Sequence, residues 1–190
     1  MKRCAWVSDE KIYIDYHDHE WGVPVYDDHK LFEMLILEGA QAGLSWITIL
    51  KRRENYREAF DHFSVEKVAS YSEEKIQDLL SNEGIIRNKL KVRGAVKNAN
   101  AFIQIQKEFG SFSSYIWSYV DDEPIINRWR SSEEVPAQSD LSKAISKDLK
   151  KRGFTFVGPV IIYSFMQAVG LVNDHTLNCF KHPENGAGQS

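Results

Sequence analysis

The stretch Asp28-His29-Lys30-Leu31-Phe32-Glu33-Met34-Leu35-Ile36-Leu37-Glu38 decides the fold class. Leu31, Phe32, Leu35 and Ile36 fall at i, i+1, i+4 and i+5, the spacing of one buried helix face, and Asp27 or Asp28 supplies the cap. The same period governs the chain beyond it. After a break between Gly39 and Gly43, a second helix covers 44–50. Ser72-Glu73-Glu74 opens a third, with Ile76, Leu79 and Leu80 inward and Gly84 as its stop. Val92, Val96, Ala99, Ile103 and Gln106 lie along a fourth that ends at Gly110. Leu141, Ile145 and Leu149 step by four between Ser139 and Gly153, and Gly158-Pro159 opens a last helix reaching Gly170. Only 12–16 reads as a stretch that could be extended. The expected fold is all-α: a single globular helical domain over 1–182, followed by a disordered tail at 183–190.

A chain of 190 residues, 43% of them apolar, buries enough surface to need neither disulfide nor metal for a core. No apolar run reaches the ~18–20 residues of a membrane span, and the segment from Met1 to Asp9 lacks the apolar centre of a signal peptide. A cytoplasmic protein with no membrane partner is expected. In a reducing compartment its 2 cysteines are free thiols or metal ligands. The net charge of −3 excludes a uniformly basic surface but leaves local basic clusters at 51–53, 87–93 and 147–152. Each is either a solvated helix face or part of a nucleic-acid footprint.

Three constellations could carry chemistry. His175 and Cys179 stand at i and i+4, on one side of a helical turn, and Cys4 and His17 supply a second pair. Together they make the Cys2His2 set of a structural zinc. The spacing is not that of a zinc finger, so ordinary histidines and an incidental cysteine remain the alternative. Tyr13, Tyr16, Trp21 and Trp46 accompany Glu38, and aromatic faces beside a carboxylate suit a flat cationic or electron-poor ring. Core packing is the alternative for the aromatics. It fits Glu38 less well, because an unpaired buried carboxylate is costly. Finally, 149–159 places Lys150, Lys151, Arg152 and Gly153 at a bend between two helices, where amides and cations could meet a phosphate.

Longer strings make the chain recognisable. Arg3-Cys4-Ala5-Trp6-Val7, Tyr13-Ile14-Asp15-Tyr16-His17-Asp18, Glu20-Trp21-Gly22-Val23-Pro24 and Leu37-Glu38-Gly39-Ala40-Gln41-Ala42-Gly43-Leu44-Ser45-Trp46 come first. Lys151-Arg152-Gly153-Phe154, Phe156-Val157-Gly158, Tyr163-Ser164-Phe165-Met166-Gln167-Ala168 and Gly170-Leu171-Val172-Asn173-Asp174-His175 follow in order. Over 1–180 the chain resembles the type I 3-methyladenine DNA glycosylase family. The resemblance implies a helix-hairpin-helix DNA glycosylase fold, with the hairpin motif at about 144–168. It also implies one structural zinc on Cys4, His17, His175 and Cys179, clamping the N- and C-terminal segments, and a base pocket of Glu38, Tyr16 and Trp46 with Tyr13 and Trp21 beside them.

The activity so implied is hydrolytic release of 3-methyladenine, and weakly of 3-methylguanine, from alkylated duplex DNA by a monomer without lyase activity. Free 3-methyladenine would bind as product. Methylation at N3 makes the base cationic, so it leaves as a neutral molecule and little acid catalysis is needed. Extruding the nucleotide costs a few kcal/mol, least for a damaged base. Glu38 is expected to read the charge and Leu44 to wedge into the vacated stack. Related hairpin glycosylases carry a catalytic aspartate a short way past the hairpin; here the register gives Asn173, with Asp174 one residue off. The rival expectation is a non-catalytic, zinc-stabilised helical DNA-binding module.

Overall fold

The structure, a computed structural model, describes residues 1–186. Its elements are α1 (Lys11–His19), α2 (Asp28–Gln41), α3 (Trp46–Ala59), α4 (Val65–Ala69), α5 (Glu73–Ser81), α6 (Lys89–Phe109) and α7 (Phe112–Trp117). The two-residue strand β1 (Ile125–Ile126) precedes α8 (Asp140–Lys151) and α9 (Pro159–Ala168), and β2 (Val172–Asn173) precedes α10 (Pro183–Gly186).

The helix expected at 28–38 is the axis of the molecule. Every residue of α2 from Leu31 to Ala40 is buried, because α3, α6, α7 and α9 all pack on it. Asp27 caps it by accepting from the Lys30 amide, which leaves Asp28 free to accept from the amides of Phe112 and Ser113 and so cap α7. The helix runs through Gly39 to Gln41, with Ala42 as its C-cap, and the chain turns at Gly43, whose φ of +79° suits glycine. Gly39 stays helical for a packing reason. A Cβ there would lie 3.3 Å from Cβ of Phe156 in the bend between α8 and α9. On the other side of the bend, a Cβ on Gly94 of α6 would stand 2.9 Å from Thr155 and 3.0 Å from the Phe156 ring. Asn98 completes the seat: its side chain donates to the Thr155 carbonyl and accepts from the Thr155 amide, at 2.9 and 2.8 Å.

The stretch 12–16, expected to be extended, is helical in α1. A helix gathers Tyr13, Tyr16 and His17 on one side, whereas a strand would send Tyr16 to the opposite face. Between α7 and α8 the chain pairs β1 in parallel with β2, Ile125 opposite Val172 and Ile126 opposite Asn173. Strands this short leave no period to read. In the tail expected to be disordered, 183–186 form a helical turn tied down by Asn185, which donates to the carbonyls of Leu177 and Cys179. Residues 187–190 of that tail lie outside the described residues.

One backbone crossing holds the site's frame. Residues 22–25 run past the end of α9, with Gly22 N on Gln167 O at 3.0 Å and Val25 N on Val169 O at 2.9 Å. Gly170 has φ +75°, and a Cβ there would lie 2.5 Å from the backbone of Val23 and Pro24. Gly170→Ala is therefore expected to cost about 3 kcal/mol, from left-handed strain and overpacking together. An unchanged denaturant midpoint would contradict this close approach.

Candidate functional site

The N-terminal segment, α1, the C-terminal end of α2, the start of α3 and one side of α9 enclose a cavity of about 360 Å³. Tyr13 and Tyr16 enter from α1, Glu38 from α2 and Trp46 from the first turn of α3, with Trp6 and Trp21 closing the far side. The rings form a connected cage. Trp6 lies 5.0 Å from Tyr13 and 5.0 Å from Trp21 between ring centroids, and Tyr16 lies 5.4 Å from Trp46. All five predicted pocket residues are thus brought together.

The two buried acids of α2 differ in their partners. Burial works against the charge of Glu33, but Arg57 and Lys30 outweigh it and hold its pKa below the ordinary value. Glu38 has no cation. Burial alone pushes its carboxyl from 4.5 to about 8. Among the described residues, its Oε2 and the indole N–H groups of Trp6 and Trp46 have no hydrogen-bond partner. Buried polar groups are normally paired. Here an unpaired carboxyl oxygen faces a cavity walled by aromatic rings, an arrangement that suits a flat cationic ring held against those faces.

Sequence reasoning assigns no role to Trp6, although it stands in the Arg3-to-Val7 motif, or to the wall formed by Ser132, Val135 and Pro136 in a segment that reads as a polar loop. The apolar pair Val135-Pro136 within that loop was the available signal. Asp174 also lines the cavity, yet both of its oxygens are occupied. Oδ1 accepts from Asn127 and Trp129 at 2.7 and 2.8 Å, and Oδ2 from Tyr163 and Gln167 at 2.5 and 2.8 Å. It ties the β1 segment and α9 to β2. Asn173, in the register expected of a catalytic aspartate, accepts from the His175 amide.

Beneath the cage, Cys4, His17, His175 and Cys179 are all buried, and their ligand atoms lie within 4.8 Å of one another. Cys4 Sγ is 3.6 Å from His175 Nδ1, and Cys179 Sγ is 3.4 Å from His17 Nε2 and 3.5 Å from His175 Nδ1. Four donors around one metal at tetrahedral angles would give S···N edges of roughly 3.6 Å. The outer nitrogens are fixed as well: His17 Nδ1 meets Asp18 at 2.7 Å, and His175 Nε2 donates to the Trp21 carbonyl at 3.0 Å. Arg3 binds Asp18 with three hydrogen bonds and, with His17, holds its pKa down at about 2. Ligand histidines oriented through carboxylate and carbonyl partners are the usual surroundings of a bound metal. The cluster could hold a metal ion.

On the outer face, Leu44 is 40% exposed in the turn between α2 and α3, outside the helix expected to begin with it. Lys150, Lys151 and Gly153 sit at the end of α8, the lysines exposed and Gly153 at φ +95°. Arg152 departs from expectation. Its guanidinium bonds Asp148 and Glu108, each at 2.7 Å, and packs over the rings of Phe109 and Tyr115. A cation held by two carboxylates and two rings is a strut between α6, α7 and α8 rather than a free phosphate ligand.

A buried acid in an aromatic cage defines a helical protein whose cavity suits a flat ring. Similarity to known proteins makes the class specific. A sequence model of the methyladenine glycosylase family matches residues 6–182, and the chain belongs to that family. It is 50% identical to DNA-3-methyladenine glycosylase 1 of Escherichia coli over 97% of this chain and 99% of that one. A crystal structure of 3-methyladenine DNA glycosylase I, 52% identical, superposes with a TM-score of 0.94 and covers 96% of this chain and 100% of its own. A Staphylococcus aureus 3-methyladenine DNA glycosylase I, solved for its recognition of 3-methyladenine, is 40% identical with a TM-score of 0.93, covering 96% and 97% of the two chains.

Proposed function

We propose that this chain is a base-excision repair glycosylase that extrudes 3-methyladenine from alkylated duplex DNA and hydrolyses its N-glycosidic bond. The observation that carries the reading is the uncompensated carboxyl of Glu38 inside the aromatic cage. A cationic base supplies the charge partner that this carboxyl lacks, and undamaged adenine does not. In this reading Trp46 and Trp6 take the ring faces, Tyr16 supports Glu38, and Tyr13 and Trp21 fill the remaining sides. The C1′–N9 bond breaks with its electron pair going to the base. Water then attacks C1′ and loses a proton, leaving an abasic site. Among the described residues no lysine lines the cavity, so no amine is at hand for a Schiff base and the proposed enzyme is monofunctional. Chromatography of bases released from methylated duplex tests the proposal: free 3-methyladenine is expected, and a DNA-binding module would release none.

The rest of the proposal concerns metal and DNA. The paired thiols and imidazoles suit zinc, whose role with four protein ligands is structural. The α8–bend–α9 unit acts as the helix-hairpin-helix, gripping the backbone through Lys150 and Lys151, with Gly153 leaving the bend open to the duplex; the Gly153 amide itself is spent on the Lys150 carbonyl. Replacing Lys150 and Lys151 together by alanine should reduce the slope of log affinity against log salt by ~0.9 for each phosphate that the variant no longer neutralises. Arg152→Ala, by contrast, should lower the melting temperature and leave that slope in place. An unaltered slope in the double variant would remove these lysines from the DNA face. The proposed enzyme acts as a cytoplasmic monomer, and no helix among the described residues is long and apolar enough to cross a membrane.

A further inference from the structure

Lys91, in the first turn of α6, ends on the segment that joins Glu38 to Leu44. Its Nζ donates to the Ala40 carbonyl at 2.8 Å and to the Ala42 carbonyl at 2.6 Å. Ala40 lies in the last turn of α2 and Ala42 is its C-cap, where a helix leaves carbonyls unpaired and carries partial negative charge. The neighbours of Lys91 behave differently: Lys89 and Leu90 are exposed, whereas burial lowers the pKa of Lys91. The turn that follows Ala42 is tied at its far end only by Ser45, whose Oγ meets Thr48 Oγ1 at 2.7 Å and whose carbonyl accepts from the Thr48 amide at 3.1 Å. Gly43 sits at φ +79° with nothing within 4 Å of a Cβ position, residues 43–45 are exposed, and Leu44 N returns only to Gln41 O.

We propose that Lys91 is a positioning residue for duplex opening: its ammonium, bound to the Ala40 and Ala42 carbonyls, holds the 42–45 turn so that Leu44 stands where it can enter the base stack. The inference rests on the reading of Leu44 as the wedge. A wedge matters only where a stack must be opened. Lys91 therefore controls excision from duplex DNA and has no part in cleaving a lesion in a single strand.

Single-turnover release of 3-methyladenine, measured on matched duplex and single-stranded oligonucleotides, tests this. Lys91→Met keeps the alkyl stem and removes the donors. It should slow duplex excision about tenfold, as expected for loss of hydrogen bonds from a charged donor, and alter single-strand excision less than about twofold. Lys91→Arg, which keeps charge and donors, should return duplex excision to within about threefold of wild type. In a Leu44→Ala background, Lys91→Met should add less than about twofold, because both changes remove one device. Equal slowing on both substrates, or full additivity with Leu44→Ala, would overturn the assignment. So would a flatter salt dependence of Lys91→Met, which would make Lys91 a phosphate contact. Wild-type duplex rates for Leu44→Ala would overturn the wedge itself, whereas absence of release by the unmodified protein from either substrate would overturn the glycosylase reading.

Discussion

Replacing Glu38 by glutamine is expected to slow release of 3-methyladenine from duplex DNA by about 10- to 100-fold and to weaken binding of the free base. The side chain keeps its shape and an acceptor oxygen but loses the charge, and hydrogen bonds to charged groups are worth ~1.5–3 kcal/mol. Because burial raises the carboxyl from 4.5 to about 8, wild-type kcat/KM should climb with pH toward that value as Glu38 ionises. The glutamine variant should lack this limb. Stability should move the other way. Between 4.5 and about 8 the unfolded chain has already lost the Glu38 proton while the folded chain retains it, so wild-type stability falls as pH rises through that window. Glutamine has no proton to lose, and its advantage in melting temperature should grow over the same range. Release assays across pH, paired with calorimetry, check both limbs. Wild-type release by Glu38→Gln would return the carboxyl to a purely structural role.

Cys179→Ala should abolish stoichiometric zinc and lower the melting temperature by roughly 10 °C or more. The expected size follows from what the four side chains connect. Cys4 and His175 are separated by 171 positions, and their contact joins the N-terminal segment to the stretch after β2. His175 also carries the Trp21 carbonyl, and a Cβ on Gly22 would lie 3.2 Å from its ring, so the cluster supports one side of the aromatic cage. Loss of the metal leaves buried imidazoles and a thiol without their common partner. Metal analysis and thermal melts of the purified protein are the measurements. Full metal content in Cys179→Ala would show that the cluster is not the binding site.

What the sequence discloses is divided by distance along the chain. The face of α2 is legible because its period repeats within a few residues, and the pair His175 and Cys179 because one helical turn brings them together. Cys4 and His17 complete a Cys2His2 set by residue type, but their spacing does not decide between ligands and ordinary residues, and only the family resemblance favours the pairing. α1 is misread from short-range apolar content, since the requirement that keeps it helical is that Tyr13, Tyr16 and His17 face one site. β1 and β2 are invisible for a similar reason. Two residues show no alternation, and what pairs them is the path that brings Asn127 and Trp129 to Asp174. Arg152 is legible as a basic residue, and its pair with Asp148 follows from helical i, i+4 spacing, but the pair with Glu108 is not legible, because Glu108 belongs to α6, 44 positions away.

The seat of Phe156 on Gly39 and Gly94 also constrains how such a chain can change over evolutionary time. A side chain at 94 would require Thr155 and the Phe156 ring to move, one at 39 would require the Phe156 Cβ to give by a few tenths of an ångström, and a small residue at 156 would leave a void beside the helix that carries Glu38. The three positions therefore form one inherited unit. Relatives are expected to exchange them together, through paired substitutions, and a lone change at 94 should survive only in lineages where 155 or 156 has already shrunk.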